Sequence, residues 1–249
     1  MIEEKEIKIK VDQNIFEKAK KYIKEHAKLT KTKFQIDEYF DTELFMFTNL
    51  NRGIRVRYNG KIPESVEFKS LFWNKYGNPN NPWYIEEVGL KIPLDAESKI
   101  TLNTILKRFN LVLNIPEDAN VDYQLFKNLL NEIGLSPKII VTKEREEYEN
   151  NESTFVFDYI KELGYFIEIE TKGIDPMDIL KTMPAISDYS VVRNGYNDMI
   201  GENIPNLISN NIRQQLFRLN HSWNVLETEV DIVNQLLKEY CEPTTLKIF

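Results

Sequence analysis

The sequence predicts an α+β fold built on a charged β-sheet, and three observations carry the prediction. The opening run Glu4-Lys5-Glu6-Ile7-Lys8-Ile9-Lys10-Val11 alternates at period two, so Glu4, Glu6 and Lys8 share one face of a strand. The same i, i+2 charge spacing returns in Ile54-Arg55-Val56-Arg57, Val66-Glu67-Phe68-Lys69, Val141-Thr142-Lys143-Glu144-Arg145 and Phe166-Ile167-Glu168-Ile169-Glu170, each rich in β-branched or aromatic residues. Between the strand signals lie stretches with apolar residues at helical spacing.

Taken in order, Asp12 predicts a helix N-cap, with a helix through about residue 26 and Ile15, Ala19, Tyr22 and Ile23 on its inner stripe. Strands are expected near 33–41, 53–59, 64–72 and 83–92, with a Gly-, Asn- and Pro-rich loop over 74–82. Two helical stretches are expected in 96–133, around Asn114-Ile115-Pro116, and strands again near 138–149, 153–159 and 164–171. Ile174-Asp175-Pro176-Met177 begins a helix, with proline in its first turn. Residues 204–219 and 223–240 read as two amphipathic helices. Residues 201–249 are expected as a helical extension of a 1–200 domain, packed on a barrel, capping its mouth or forming a homodimer interface.

The charged faces point to a ligand class. If the sheet closes into a barrel, every strand has an inward face, and the acids and bases could line one interior together. That is costly unless they bind something. The same alternation is also what a solvated outer face shows, with Ile7, Phe68, Ile167 and Ile169 packed opposite, so spacing alone leaves both arrangements open. Guanidinium forks and ammonium groups suit phosphate oxygens, and carboxylates suit Mg²⁺ or Mn²⁺. A polyphosphate carrying its metals needs both. Lys8, Arg55, Arg57, Lys69, Lys143, Arg145 and Arg193 are the candidate cations, enough for a triphosphate.

These residues, in this order, carry a family resemblance. Glu4-x-Glu6-x-Lys8, Asp37-Glu38-Tyr39-Phe40-Asp41-Thr42, Arg55-x-Arg57, Lys69, Lys143-x-Arg145, and Asp158 followed by Leu163-Gly164-Tyr165-Phe166-Ile167-Glu168-Ile169-Glu170 resemble the CYTH, or triphosphate tunnel metalloenzyme, superfamily. That superfamily includes class IV adenylyl cyclases, thiamine triphosphatases and inorganic triphosphatases. Leu129 to Pro137 leading into Lys143 to Tyr148 is most similar to the cyclase branch, and Arg193-Asn194-Gly195-Tyr196 resembles that branch's Ser-Tyr segment, with Gly195 for Ser.

The resemblance implies an eight-stranded antiparallel β-barrel, a tunnel holding a triphosphate and magnesium or manganese. It implies metal-site roles for Glu4, Glu6, Asp158, Glu168 and Glu170. Substrate contacts fall to Lys8, Arg55, Arg57, Lys69, Glu87, Lys143, Arg145 and Arg193, and catalytic roles to Lys8, Tyr39, Lys69 and Arg145. The 83–92 strand departs from the family pattern, with Ile85 where Arg is usual and Gly89 where a second Glu would fall. The activity implied is conversion of ATP to cyclic AMP and pyrophosphate. The alternatives are hydrolysis of an inorganic, thiamine or nucleoside triphosphate, and a non-catalytic nucleotide- or polyphosphate-binding module.

Composition excludes several other classes. A net charge of −7 argues against an extended nucleic-acid surface. With Cys241 the only cysteine, an intrachain disulfide framework and a cysteine-based zinc site are excluded, and a cytoplasmic location is expected. Neither a signal peptide nor a membrane span is expected from the apolar pattern. His26 and His221 read as surface residues, and Trp73 and Trp83 either stack on a base or pack at a barrel rim.

Overall fold

A computed structural model describes residues 4–49, 52–73, 83–108, 111–113, 115–116, 118–184, 186–192 and 195–202. The strands are β1 (Glu4–Val11), β2 (Lys28–Asp41), β3 (Arg52–Asn59), β4 (Ile62–Trp73), β5 (Trp83–Lys91), β6 (Ser136–Glu149), β7 (Ser153–Ile160), β8 (Gly164–Lys172) and β9 (Ser190–Val191). The helices are α1 (Gln13–His26), α2 (Met46–Asn49), α3 (Ala96–Arg108), α4 (Tyr123–Glu132), α5 (Pro176–Thr182) and α6 (Tyr196–Gly201). The fold is α+β, with a large antiparallel sheet of hydrogen-bonded order β5-β4-β3-β2-β6-β7-β8-β1-β9.

Three expectations change here. The sheet has nine strands rather than eight, because Ser190 and Val191 pair with Lys10 and Ile9 in a bridge too short to leave a strand signal. Among the described residues the sheet also is not closed into a barrel, with β5 and β9 at its ends. The start of β2 moves from residue 33 to Lys28. Its first five residues are exposed and show no apolar alternation to read, yet Thr30 Oγ1 donates to the Glu147 carbonyl at 3.2 Å and Lys31 pairs with Glu147 at 2.7 Å. The loop at 74–82 and the helices expected at 204–219 and 223–240 lie outside the described residues. Among the described residues no helix is long and apolar enough to cross a membrane.

The chain forms two compact units. The first comprises Met1–Asp37, Tyr58–Ile62 and Val141–Ile200, and the second Glu38–Arg57, Pro63–Ile140 and Gly201–Phe249.

In the first unit, strand parity divides the side chains. Ile7, Ile9 and Val11 of β1, Phe155 and Phe157 of β7, and Ile167 and Ile169 of β8 are buried with Ile15, Phe16, Ala19 and Ile23 of α1 and Leu180 of α5. Phe16 meets Phe157 edge-on at 5.4 Å. Each of the larger side chains among these stabilises the fold by about 1.5–3 kcal/mol, enough to fix the register of these strands. Asp12 caps α1 as expected, accepting from the Ile15 amide at 2.7 Å. With the odd positions of β1 committed to this core, Glu6 and Lys8 must project from the other side of the sheet.

The second unit buries Ile54, Val56, Val66, Phe68 and Leu90 from its strands and Leu102, Leu106, Phe126 and Leu130 from α3 and α4. Asp122 caps α4, accepting from the Leu125 amide at 2.9 Å. Gly134, at φ +83°, ends it in the left-handed conformation that lets the Leu135 amide reach back to the Leu130 carbonyl at 2.9 Å.

Candidate active-site clusters

In the first unit, the charged parity of β1, β6, β7 and β8 builds a network of alternating sign. Arg145 donates from Nε to Asp158 Oδ1 at 2.7 Å and from Nη2 to Asp158 Oδ2 at 2.5 Å, a bidentate fork across the β6–β7 pair. The same Nη2 reaches Glu168 Oε2 at 3.1 Å. Lys8, register partner of Glu168, lies 3.0 Å from Glu168 Oε1. Lys143 and Asp37 form a second pair at 3.4 Å, both almost fully buried.

Burial alone would raise the Glu168 pKa, but Lys8 and Arg145 outweigh it and hold the carboxylate well below its ordinary range. Burial likewise works against the Lys8 and Arg145 cations, and the adjacent acids overcome it and push both pKa values up. These groups are fixed in their charged forms.

Glu170 behaves oppositely. It stands across from Glu6 in the β1–β8 register, and burial, then repulsion from Glu6 and Glu168, lifts its pKa to about 7. Two facing hard oxygen donors that repel each other are what a divalent cation relieves, so Glu6 and Glu170 fit Mg²⁺ or Mn²⁺. Glu4 is in β1 opposite Lys172, and its side chain lies outside the described residues. Asp158 fits a metal less well, because Arg145 and the Tyr196 hydroxyl engage both its oxygens. Among the described residues no three acidic, histidine or cysteine side chains stand together as a ready metal cage.

The second unit holds a separate cluster. Arg55 donates from Nε and Nη2 to Glu67 Oε2 at 2.8 and 2.5 Å, from Nη2 to Glu87 Oε1 at 3.0 Å and from Nη1 to the Tyr39 hydroxyl at 2.9 Å. Arg57 takes the other oxygen of Glu67 at 2.9 Å, and Ser65 donates to that oxygen at 2.8 Å. Lys69 lies 3.5 Å from Glu87, its register partner, and both are about half exposed. Burial would raise the Glu67 pKa, but Arg55 and Arg57 bring it below the ordinary value. Gly89 faces Glu67 across the β4–β5 pair, and a Cβ there would lie 3.6 Å from Glu67 Cγ.

Of the site residues expected from sequence, Glu6, Lys8, Lys143, Arg145, Asp158, Glu168 and Glu170 fall in the first unit, and Tyr39, Arg55, Arg57, Lys69 and Glu87 in the second. Arg193 and the side chains of Trp73, Trp83 and Ile85 lie outside the described residues. Sequence reasoning missed three partners: Glu67, Asp37 and Tyr196. Glu67 shares parity with Lys69, a readable signal. Tyr196 had none beyond its place beside Gly195, since a side chain from a six-residue helix gives no periodicity to follow.

A family model described as CYTH domain matches residues 3–190. Among solved structures, a proposed adenylyl cyclase from Hippeastrum, described as having a dominant triphosphatase activity, is similar in fold at 15% identity over 83% of this chain and 99% of its own, with a TM-score of 0.50. The PH1819 protein of Pyrococcus horikoshii OT3 matches at 19% identity over 80% and 96% (TM-score 0.49), and a proposed adenylate cyclase from Vibrio parahaemolyticus at 13% over 80% and 97% (TM-score 0.46). No curated protein matches.

Proposed function

We propose that this chain, which belongs to the CYTH domain family, is a metal-dependent enzyme acting on a triphosphate, with cyclisation of ATP to cyclic AMP and pyrophosphate as its leading activity. The observation that carries the reading is the alternation of fixed cations with carboxylates from β1, β6, β7 and β8, next to the facing pair Glu6 and Glu170. Phosphate chains with a bound divalent cation match such a surface in both signs.

In this reading Glu6 and Glu170, with Glu4 beside them in sequence, would hold Mg²⁺ or Mn²⁺, which would supply positive charge against the phosphate oxygens, while Glu168, engaged on both oxygens by Lys8 and Arg145, would orient those cations. Lys8, Arg145, Arg55, Arg57, Lys69 and Arg193 bind phosphate oxygens, and Lys8 and Arg145 neutralise charge that builds on the departing group. Tyr39, whose hydroxyl accepts from Arg55, relays a proton in this reading. Lys143 contributes charge from its buried pair with Asp37 rather than by direct contact. In cyclisation the 3′-hydroxyl oxygen attacks the α-phosphorus, the bond to the bridging oxygen breaks, pyrophosphate departs and the hydroxyl proton leaves to a base. Closure of the sheet into a tunnel and the helical extension of residues 201–249 belong to this proposal.

Hydrolysis is the second reading. It is favoured because among the described residues the two clusters offer phosphate- and metal-type contacts, and water in place of the 3′-hydroxyl needs no nucleoside grip. Product analysis separates them. Incubation with Mg²⁺ or Mn²⁺ and ATP or tripolyphosphate should give cyclic AMP and pyrophosphate from ATP alone. Orthophosphate from either substrate, without a cyclic product, would reverse the order of the two readings, and no turnover of either would leave a binding module.

Phosphate grip has its own test. Arg55→Ala and Arg57→Ala should each weaken triphosphate binding by about 1.5–3 kcal/mol, the worth of a hydrogen bond to a charged group. Lysine at either position should restore only part of it, since the fork is lost. Calorimetric titration showing unchanged affinity in both alanine variants would remove these arginines from the site.

A further inference from the structure

We propose that Tyr196 is a positioning residue that aims the ligand-facing donors of Lys8 and Arg145. The inference rests on the reading above, in which those two cations bind phosphate. It goes further by assigning a role to a side chain from α6 that neither the charge pattern nor the metal-site residues require.

The Tyr196 hydroxyl lies 2.9 Å from Asp158 Oδ2 and 3.1 Å from Glu168 Oε1, joining the two acids that organise the network. A phenol has one proton to donate, so the carboxylates share it, and their mutual repulsion is eased at a fixed separation. The ring is also held. It meets Phe166 edge-on at 5.1 Å, with Lys8 Nζ 4.6 Å and Lys143 Nζ 5.5 Å from its centroid.

What this geometry leaves over is informative. Asp158 and Glu168 take the Nε and Nη2 edge of Arg145, and among the described residues Nη1 makes no hydrogen bond. Lys8 likewise meets a single carboxylate, Glu168, so its remaining N–H bonds have no described protein acceptor. The acids therefore hold one side of each cation and present the other, and Tyr196 sets where the acids stand. Loss of its hydroxyl should let Asp158 and Glu168 separate and turn both cations away from a phosphate oxygen.

The test compares full-length wild type, Tyr196→Phe and Phe166→Leu with inorganic tripolyphosphate and Mg²⁺ by calorimetry. Tyr196→Phe should bind about three- to tenfold more weakly, the span for one hydrogen bond. Phe166→Leu, which loosens packing on the ring but keeps the hydroxyl, should lower the melting temperature with a distinctly smaller loss of affinity. In ¹⁵N spectra the wild-type Arg145 Nε–H signal should persist when tripolyphosphate is added while Nη1 shifts, and in Tyr196→Phe the Nε–H signal should move before any ligand is present. Unchanged affinity in Tyr196→Phe, or an equal loss in both variants, overturns the proposal. If Tyr196→Phe does not fold, the wild-type spectra decide, and a shift at Nε without one at Nη1 overturns it. Wild type that binds neither tripolyphosphate nor ATP overturns the functional reading itself, and this inference with it.

Discussion

Replacing Arg145 with methionine should cost about 3–5 kcal/mol of unfolding free energy. Methionine keeps an apolar stem, so the loss isolates the charge. Asp158 is fully buried and Glu168 nearly so, and Arg145 is bonded to both. Without it Asp158 loses its cation in a medium that solvates charge poorly, while Glu168 keeps Lys8. Adding Asp158→Asn should recover part of the loss, because the orphaned carboxylate goes too. Urea denaturation of the two single variants and the double gives the coupling directly. Purely additive losses would mean that the fork contributes nothing as a pair.

Glu170→Gln should have opposite effects on stability and on turnover. The Glu170 pKa is raised from 4.5 to about 7 in the folded chain, so its contribution to stability is fully present below about 4.5 and is lost as pH rises through 7. Metal-free protein should therefore melt progressively lower between about pH 5 and pH 8. Glutamine removes the titrating group and should flatten that slope, making the variant the more stable form at pH 8. Glu168, whose pKa is depressed, contributes stability that is lost only in acid, so the two windows do not overlap. Mg²⁺ or Mn²⁺ should raise the wild-type melting temperature at pH 8 far more than at pH 5, and should do little for the variant. Turnover of the triphosphate should fall by at least about a hundredfold. Scanning fluorimetry with and without EDTA settles the metal arm, and a variant that keeps full activity at limiting metal would move the metal elsewhere.

How much of this was legible beforehand depends on what made each feature. The strands with one apolar and one charged parity, β1 above all, were readable because burial of Ile7, Ile9 and Val11 imposes period two on the sequence. β8 was readable for the same reason, although both of its faces are buried, since Phe166 and Glu168 are as enclosed as Ile167 and Ile169. The exposed start of β2 was not, because its pairing with β6, joined by the side-chain contacts of Thr30 and Lys31, buries no apolar residue that would mark the sequence.

The site followed the same logic. Charged residues at i, i+2 announced themselves, and their partners did not. Glu67 reads as one more strand acid until Arg55 and Arg57 are seen on its two oxygens. Tyr196 is apolar in any periodicity count, and only the fold brings its hydroxyl to Asp158 and Glu168. Nor does spacing distinguish Glu170 from Glu168. Two acids of equal parity in one strand end with pKa values on opposite sides of normal, because one lies across from Lys8 and the other from Glu6.

The two-sided character of β1 also sets which genetic changes the chain can absorb. Most substitutions at one of its positions disturb one face and leave the other working. Insertion or deletion of one codon ahead of Val11 would exchange the faces of everything upstream, turning Glu6 and Lys8 toward Ile15 and Phe16 and sending Ile7 and Ile9 into the charged network. Composition would barely change, yet the core and the site would fail together. Variation in β1 is thus expected to be wide in residue identity and nearly absent in length.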